Sequence, residues 1–197
     1  MTEPVTLALS ELRSLITKAA RGAGLSWGLA EEAGWAAEWL AQRGLPAADW
    51  ATIWLAARMA GAVSPVEVGT ALADALPGTP AVTGETLPDG LVAPGFLLPF
   101  LHRIAQGGST VSIAARLGPV AQVSCAGGVV FGPAWQAQSD GWRLSDASDA
   151  RGQAGPAGRP TVSASVLEYL DGLALLTTVP KSDASRRDAG SMGGDND

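Results

Sequence analysis

The chain has 197 residues, 47% of them apolar, and a formal net charge of −6 with a pI near 4.7. That length suits one domain with ample material for a core, and the acidic balance excludes a nonspecific nucleic-acid binder, which needs basic patches to displace phosphate counterions. No apolar run is long enough to span a bilayer, since Arg58 interrupts the most apolar helix and Pro94 and Pro99 punctuate the run GFLLPF. The opening MTEPVTLALSE lacks the basic flank and apolar run of a secretory signal, and a lone Cys125 cannot form an internal disulfide. A cytoplasmic location is therefore expected.

In chain order, Leu12, Leu15, Ile16, Ala19, Ala20 and Ala23 recur at helical spacing. They predict an amphipathic helix capped near Ser10 and stopped by Gly22 and Gly24, with Lys18 and Arg21 in the last turn, where the helix dipole favours cations. Ser26 caps a second helix whose stripe is Leu29, Ala33, Ala36, Ala37 and Leu40, and Glu31 and Glu32 stand in its early turns. The small residues Ala33, Ala37 and Ala41 predict close helix packing. After RGLP, a third helix carrying Trp50, Ile53, Trp54 and Ala57 reads as apolar nearly all round and central, with Arg58 reaching for water or a carboxylate. Ser64, Pro65 and Glu67 form a capping box with proline at the first helical position, opening a fourth helix.

Residues 77–90 turn to Pro, Gly and Thr and read as a surface loop long enough to be a lid. The segment 95–106 fits a short helix. Beyond it the period becomes two: the runs 110–115, 120–125, 128–131 and 141–145, separated by glycine turns, predict an antiparallel meander. A flexible loop over 147–160, a last strand over 161–165 and a closing helix follow. The expected fold is α+β: one domain over 1–180, with a helical bundle (6–106), a small antiparallel sheet (110–165) and a closing helix (166–178), then a polar tail (181–197).

The glycines Gly22, Gly24 and Gly28 look superficially like a phosphate loop, but a dinucleotide fingerprint needs a strand before it, and here a helix precedes. Glu31 and Glu32 point about 100° apart on a helix, so only one is expected to face inward. His102, the single histidine, reads as an edge-of-core residue, with a catalytic base as the alternative. Cys125 reads as a small buried hydrophobe. Five of the seven tryptophans lie in or beside the second and third helices, and Trp35 and Trp39 fall off the stripe, where they would form a face for a homodimer or a partner protein. Composition alone makes 181–197 a disordered tail. Its Lys181, Ser182, Ser185, Arg186 and Arg187 are also the residue types of an anion site. No metal and no cofactor are implied, and no full set of nucleophile, base and oxyanion donors is present.

KAARGAGLSWGLAEEAG at 18–34, together with TTVPKSDASRRDAGSMGGDND at the end, resembles an uncharacterised bacterial family of unknown function. The resemblance implies that Lys18, Arg21, Trp27, Glu31 and Glu32 carry over at one end and Ser185 and Arg186 at the other, and it brings no reaction with it. The helix, turn and alanine-rich second helix also resemble the opening of type-2 malate and lactate dehydrogenases. RGLP stands where their histidine-glycine pair is expected, so that activity does not follow.

Two functions are consistent with these readings. In the first, a small anionic metabolite binds between the Lys18/Arg21 corner, with Glu31 and Glu32 beside it, and Lys181, Ser185 and Arg186 of the tail. In the second, the protein is a noncatalytic accessory subunit that docks a partner on the Trp35/Trp39 face, its charges serving only capping and solubility.

Overall fold

A short strand β1 (Val5–Thr6) leads into four helices, α1 (Leu9–Gly22), α2 (Trp27–Ala41), α3 (Ala47–Met59) and α4 (Pro65–Ala75). A 3-10 turn over Pro94–Leu97 runs directly into α5 (Leu98–Ala105). The strands β2 (Thr110–Ala115), β3 (Gly118–Val123), β4 (Val129–Phe131), β5 (Arg143–Ala147) and β6 (Thr161–Val162) follow, and α6 (Ala164–Leu175) is the last described element. The computed structural model describes residues 3–76, 84–106, 108, 110–116, 118–135, 139–147 and 158–177, and within them the protein is α+β, as its periodicities predict.

The helices start where side-chain oxygens meet free N–H groups. Ser26, Ser64 and Ser163 cap α2, α4 and α6 by accepting from Leu29, Glu67 and Val166. Helix α1 departs from expectation. It begins at Leu9, before Ser10, because the Glu11 carboxylate folds back to accept the Ala8 N–H at 2.7 Å. In α4 only half of the expected capping box forms, since Glu67 turns to Arg58 at 3.0 Å. That pair answers what Arg58 needed inside an apolar helix, and its Nη1 also donates to the Ala23 carbonyl at 3.3 Å. Helix α3 is not apolar-buried all round: Ala51, Trp54 and Leu55 pack inward while Ile53 and Met59 are exposed.

Helices α1 and α2 run antiparallel and very close. A Cβ placed on Gly34 would overlap Thr17 Oγ1 and lie 2.8 Å from the Arg13 carbonyl oxygen. Gly22 is the last residue of α1, as its sequence suggests. It lies against the Leu173 carbonyl of α6, where a Cβ would also overlap, and the chain turns at Gly24, with φ of 88°. The buried residues form one continuous cluster from Leu12 and Ile16 of α1, through Trp54, Phe96 and Phe100, to Val111, Ile113 and Val123 of the sheet.

The sheet is not the simple meander that the period-two runs suggest. Its order is β4-β3-β2-β5, so β5 crosses to the far side of β2. Strand β6 does not extend it; β6 pairs with β1, a strand the sequence reading lacked. The stretch 84–91 is stitched along β5 rather than standing free as a lid: Gly84 N–H donates to the Leu144 carbonyl, Leu87 N–H to Trp142, and the buried Ser139 hydroxyl accepts from Leu91 at 2.9 Å. Burial of Leu87 and Leu91 holds it there.

Because Gly34 has no space for a methyl group, Gly34→Ala is expected to lower the unfolding free energy by about 2 kcal/mol despite alanine's better helix propensity. Urea denaturation followed by circular dichroism measures this, and a midpoint equal to or above that of the natural protein would refute the close contact.

Candidate functional site

The close approach of α1 and α2 leaves an open groove of about 720 Å3 along their outer seam. Helix α1 buries Leu12, Ile16, Ala19 and Ala20, which turns Ser10, Ser14 and Lys18, each one turn apart, toward the groove. Arg13 and Thr17 line it as well. On α2 the same four-residue step places Trp27, Glu31 and Trp35 in a row, with Glu32 beside them, and Arg103 of α5 completes the lining.

Most of the charges in this groove are already satisfied. Arg103 donates from both Nη atoms to the two Glu32 oxygens, at 3.3 and 2.9 Å, in a bidentate pair. Its guanidinium also lies over the Trp35 ring at 4.1 Å, and Trp35 packs edge-on against Phe100. Arg13 pairs with Glu38 at 3.1 Å. Lys18 and Glu31 are exposed, and among the described residues neither forms an ion pair. The adjacent carboxylates therefore divide as helical geometry demands: Glu32 turns to α5 and Glu31 is left to the groove.

The structure splits the expected Lys18/Arg21 corner. Arg21 turns away from the groove, donates to the Leu25 carbonyl and lies over the Trp27 ring at 5.2 Å, so it clasps the end of α1 to the start of α2. Of the expected site, Lys18, Glu31 and Glu32 come together, while Lys181, Ser185 and Arg186 lie outside the described residues. Trp35 and Trp39 also part company. Trp39 is buried, with Arg43 at 3.5 Å over its ring and the His102 ring tilted against it at 5.4 Å, so of the two only Trp35 reaches the groove. Sequence reasoning missed Arg13 and Arg103. The row Trp27, Glu31, Trp35 was readable as an i, i+4, i+8 series, whereas nothing local places Arg103 opposite Glu32.

His102 is an edge-of-core residue. Its Nδ1–H donates to the Ser124 carbonyl at 3.2 Å and its ring lies on Trp39. Burial lowers its pKa, the hydrogen bond to Ser124 opposes that, and the nearby Arg43 charge lowers it further, leaving it below the ordinary histidine value. Cys125 is not buried as expected: it sits exposed in the turn closed by the Gly127 N–H to the Ser124 carbonyl. Among the described residues no three of His, Cys, Asp and Glu stand close enough to hold a metal ion, and no helix is long and apolar enough to cross a membrane.

Residues 7–62 match the model of a family described as a protein of unknown function, DUF3726. That span holds α1, α2 and α3, and therefore both long walls of the groove; it ends before Arg103 and the sheet. No curated protein and no solved structure matches the chain.

The depressed pKa of His102 sets a pH dependence. The unfolded chain takes up this proton near pH 6.5 and the folded chain only at lower pH, so the stability His102 contributes is intact above about pH 6.5 and declines as pH falls below it. Unfolding of the natural protein and of His102→Gln at pH 7 and pH 5 is expected to show a steeper loss for the natural protein. Equal losses would mean that His102 titrates alike in both states.

Proposed function

We propose that this is a bacterial, cytoplasmic binding protein whose groove between α1 and α2 takes a small organic carboxylate, with Lys18 as the anion-binding group. One observation carries the reading: among the described residues, Lys18 is the groove cation without a carboxylate partner, and it stands on the stripe that also offers the Ser10 and Ser14 hydroxyls. An ammonium group brings three donors to a ligand carboxylate. The single exposed cysteine accords with a reducing compartment. Arg21 has a structural role in this reading, since its guanidinium is already held by the Leu25 carbonyl and the Trp27 ring.

A second reading, an accessory subunit that docks a partner protein here, draws support from Trp27, whose side of the groove is open with the residue 64% exposed. It would use Trp27 and Trp35, not Trp39.

Titration of tryptophan fluorescence with small carboxylates tests the first reading. Lys18→Met is expected to weaken binding by about tenfold or more, while Arg21→Gln leaves affinity near that of the natural protein and lowers its thermal stability. Undiminished binding by Lys18→Met would sink the assignment, and a concentration-dependent rise in mass in sedimentation, abolished by Trp27→Ala, would make this face a contact between two copies of the chain instead.

A further inference from the structure

Resting on the binding groove just described, we propose that its ligand is a zwitterion, a small molecule bearing both an ammonium group and a carboxylate, of the amino-acid or betaine class. Among the described residues, the groove offers two charges of opposite sign that form no ion pair, Lys18 on α1 and Glu31 on α2. Its remaining charges are matched within the protein: Arg103 by Glu32 and Arg13 by Glu38.

Glu31 has the surroundings that an ammonium ion requires. It lies one helical turn from Trp27 on one side and one turn from Trp35 on the other, so a carboxylate is set between two indoles along one face of α2. Indole faces attract cations, and a carboxylate beside them supplies the opposite charge. Both rings already accept a cation within the protein, Trp27 from Arg21 at 5.2 Å and Trp35 from Arg103 at 4.1 Å, and Trp27 keeps most of its surface open. Lys18, across the groove, then receives the ligand's carboxylate.

The same pair discriminates. A plain anion placed against Lys18 meets the uncompensated charge of Glu31, and a plain cation placed against Glu31 meets Lys18, so each single-charge ligand satisfies one group and is repelled by the other. A dipolar ligand satisfies both. The volume of about 720 Å3 holds such a molecule together with an apolar side chain laid on the tryptophans.

The test uses the full-length protein and two matched sets of probes: L-phenylalanine, 3-phenylpropanoate and 2-phenylethylamine; and glycine betaine, 3,3-dimethylbutanoate and tetramethylammonium. Calorimetry is expected to show at least one zwitterion binding about tenfold or more tightly than either single-charge relative. Glu31→Gln is expected to abolish its preference over the carboxylate, and Lys18→Met its preference over the amine. A carboxylate that binds the natural protein as tightly as its zwitterion overturns the zwitterion and leaves the carboxylate groove standing. Retention of the preference in Glu31→Gln likewise overturns it. Failure of all six probes at millimolar concentration overturns the inference and the carboxylate reading together. Both substituted residues are exposed, and circular dichroism verifies that the variants fold.

Discussion

Gly34, set against Thr17 and the Arg13 carbonyl with no room for a side chain, is the contact on which the rest of the structure depends. It brings α1 and α2 together at backbone distance, and the register follows from it: Arg13 meets Glu38 toward one end of the pair, and Arg21 reaches the Leu25 carbonyl at the other. With the register set, the Ser10, Ser14, Lys18 stripe and the Trp27, Glu31, Trp35 row face a common groove. A pair of helices held further apart by ordinary side chains would not hold these two rows so close.

Arginine does much of the joining elsewhere. Arg21, Arg43 and Arg58 each donate to a main-chain carbonyl at a junction: Leu25 at the α1–α2 turn, Trp39 and Gly127 between α2 and the sheet, and Ala23 from α3. The planar, permanently charged guanidinium can stack on an indole while its edge donates hydrogen bonds, as Arg43 does over Trp39. Gly127, with φ of 80°, lets the turn between β3 and β4 approach that guanidinium. Basic residues are few in this acidic chain, and these three arginines are committed to holding its elements together.

The match to the family of unknown function, over residues 7–62, covers α1 to α3 and stops before the sheet. The groove's two long walls therefore belong to the matched span, while Arg103, which neutralises Glu32 and backs Trp35, comes from outside it. Helix α5 also supports α2 from behind, through Phe100 against Trp35 and His102 against Trp39.

The amino-acid sequence by itself determined the local features. The serine caps of α2 and α4, the buried stripes of α1 and α2, the short helix before the sheet and the period-two strands are all encoded within a few neighbouring residues, and all are present. Lys18, Glu31 and Glu32 could be singled out from the sequence by their places near facing helix ends, where the helix dipole favours cations at one end and anions at the other. Only the tertiary structure decided that Arg21 is a clasp, that Trp39 is buried, that β5 lies beside β2, that residues 84–91 run along β5 and that Arg103 takes Glu32 out of contention. Each of these depends on which face of one element meets another far along the chain, and that is settled by packing and close approach, as at Gly34, which local periodicity does not encode.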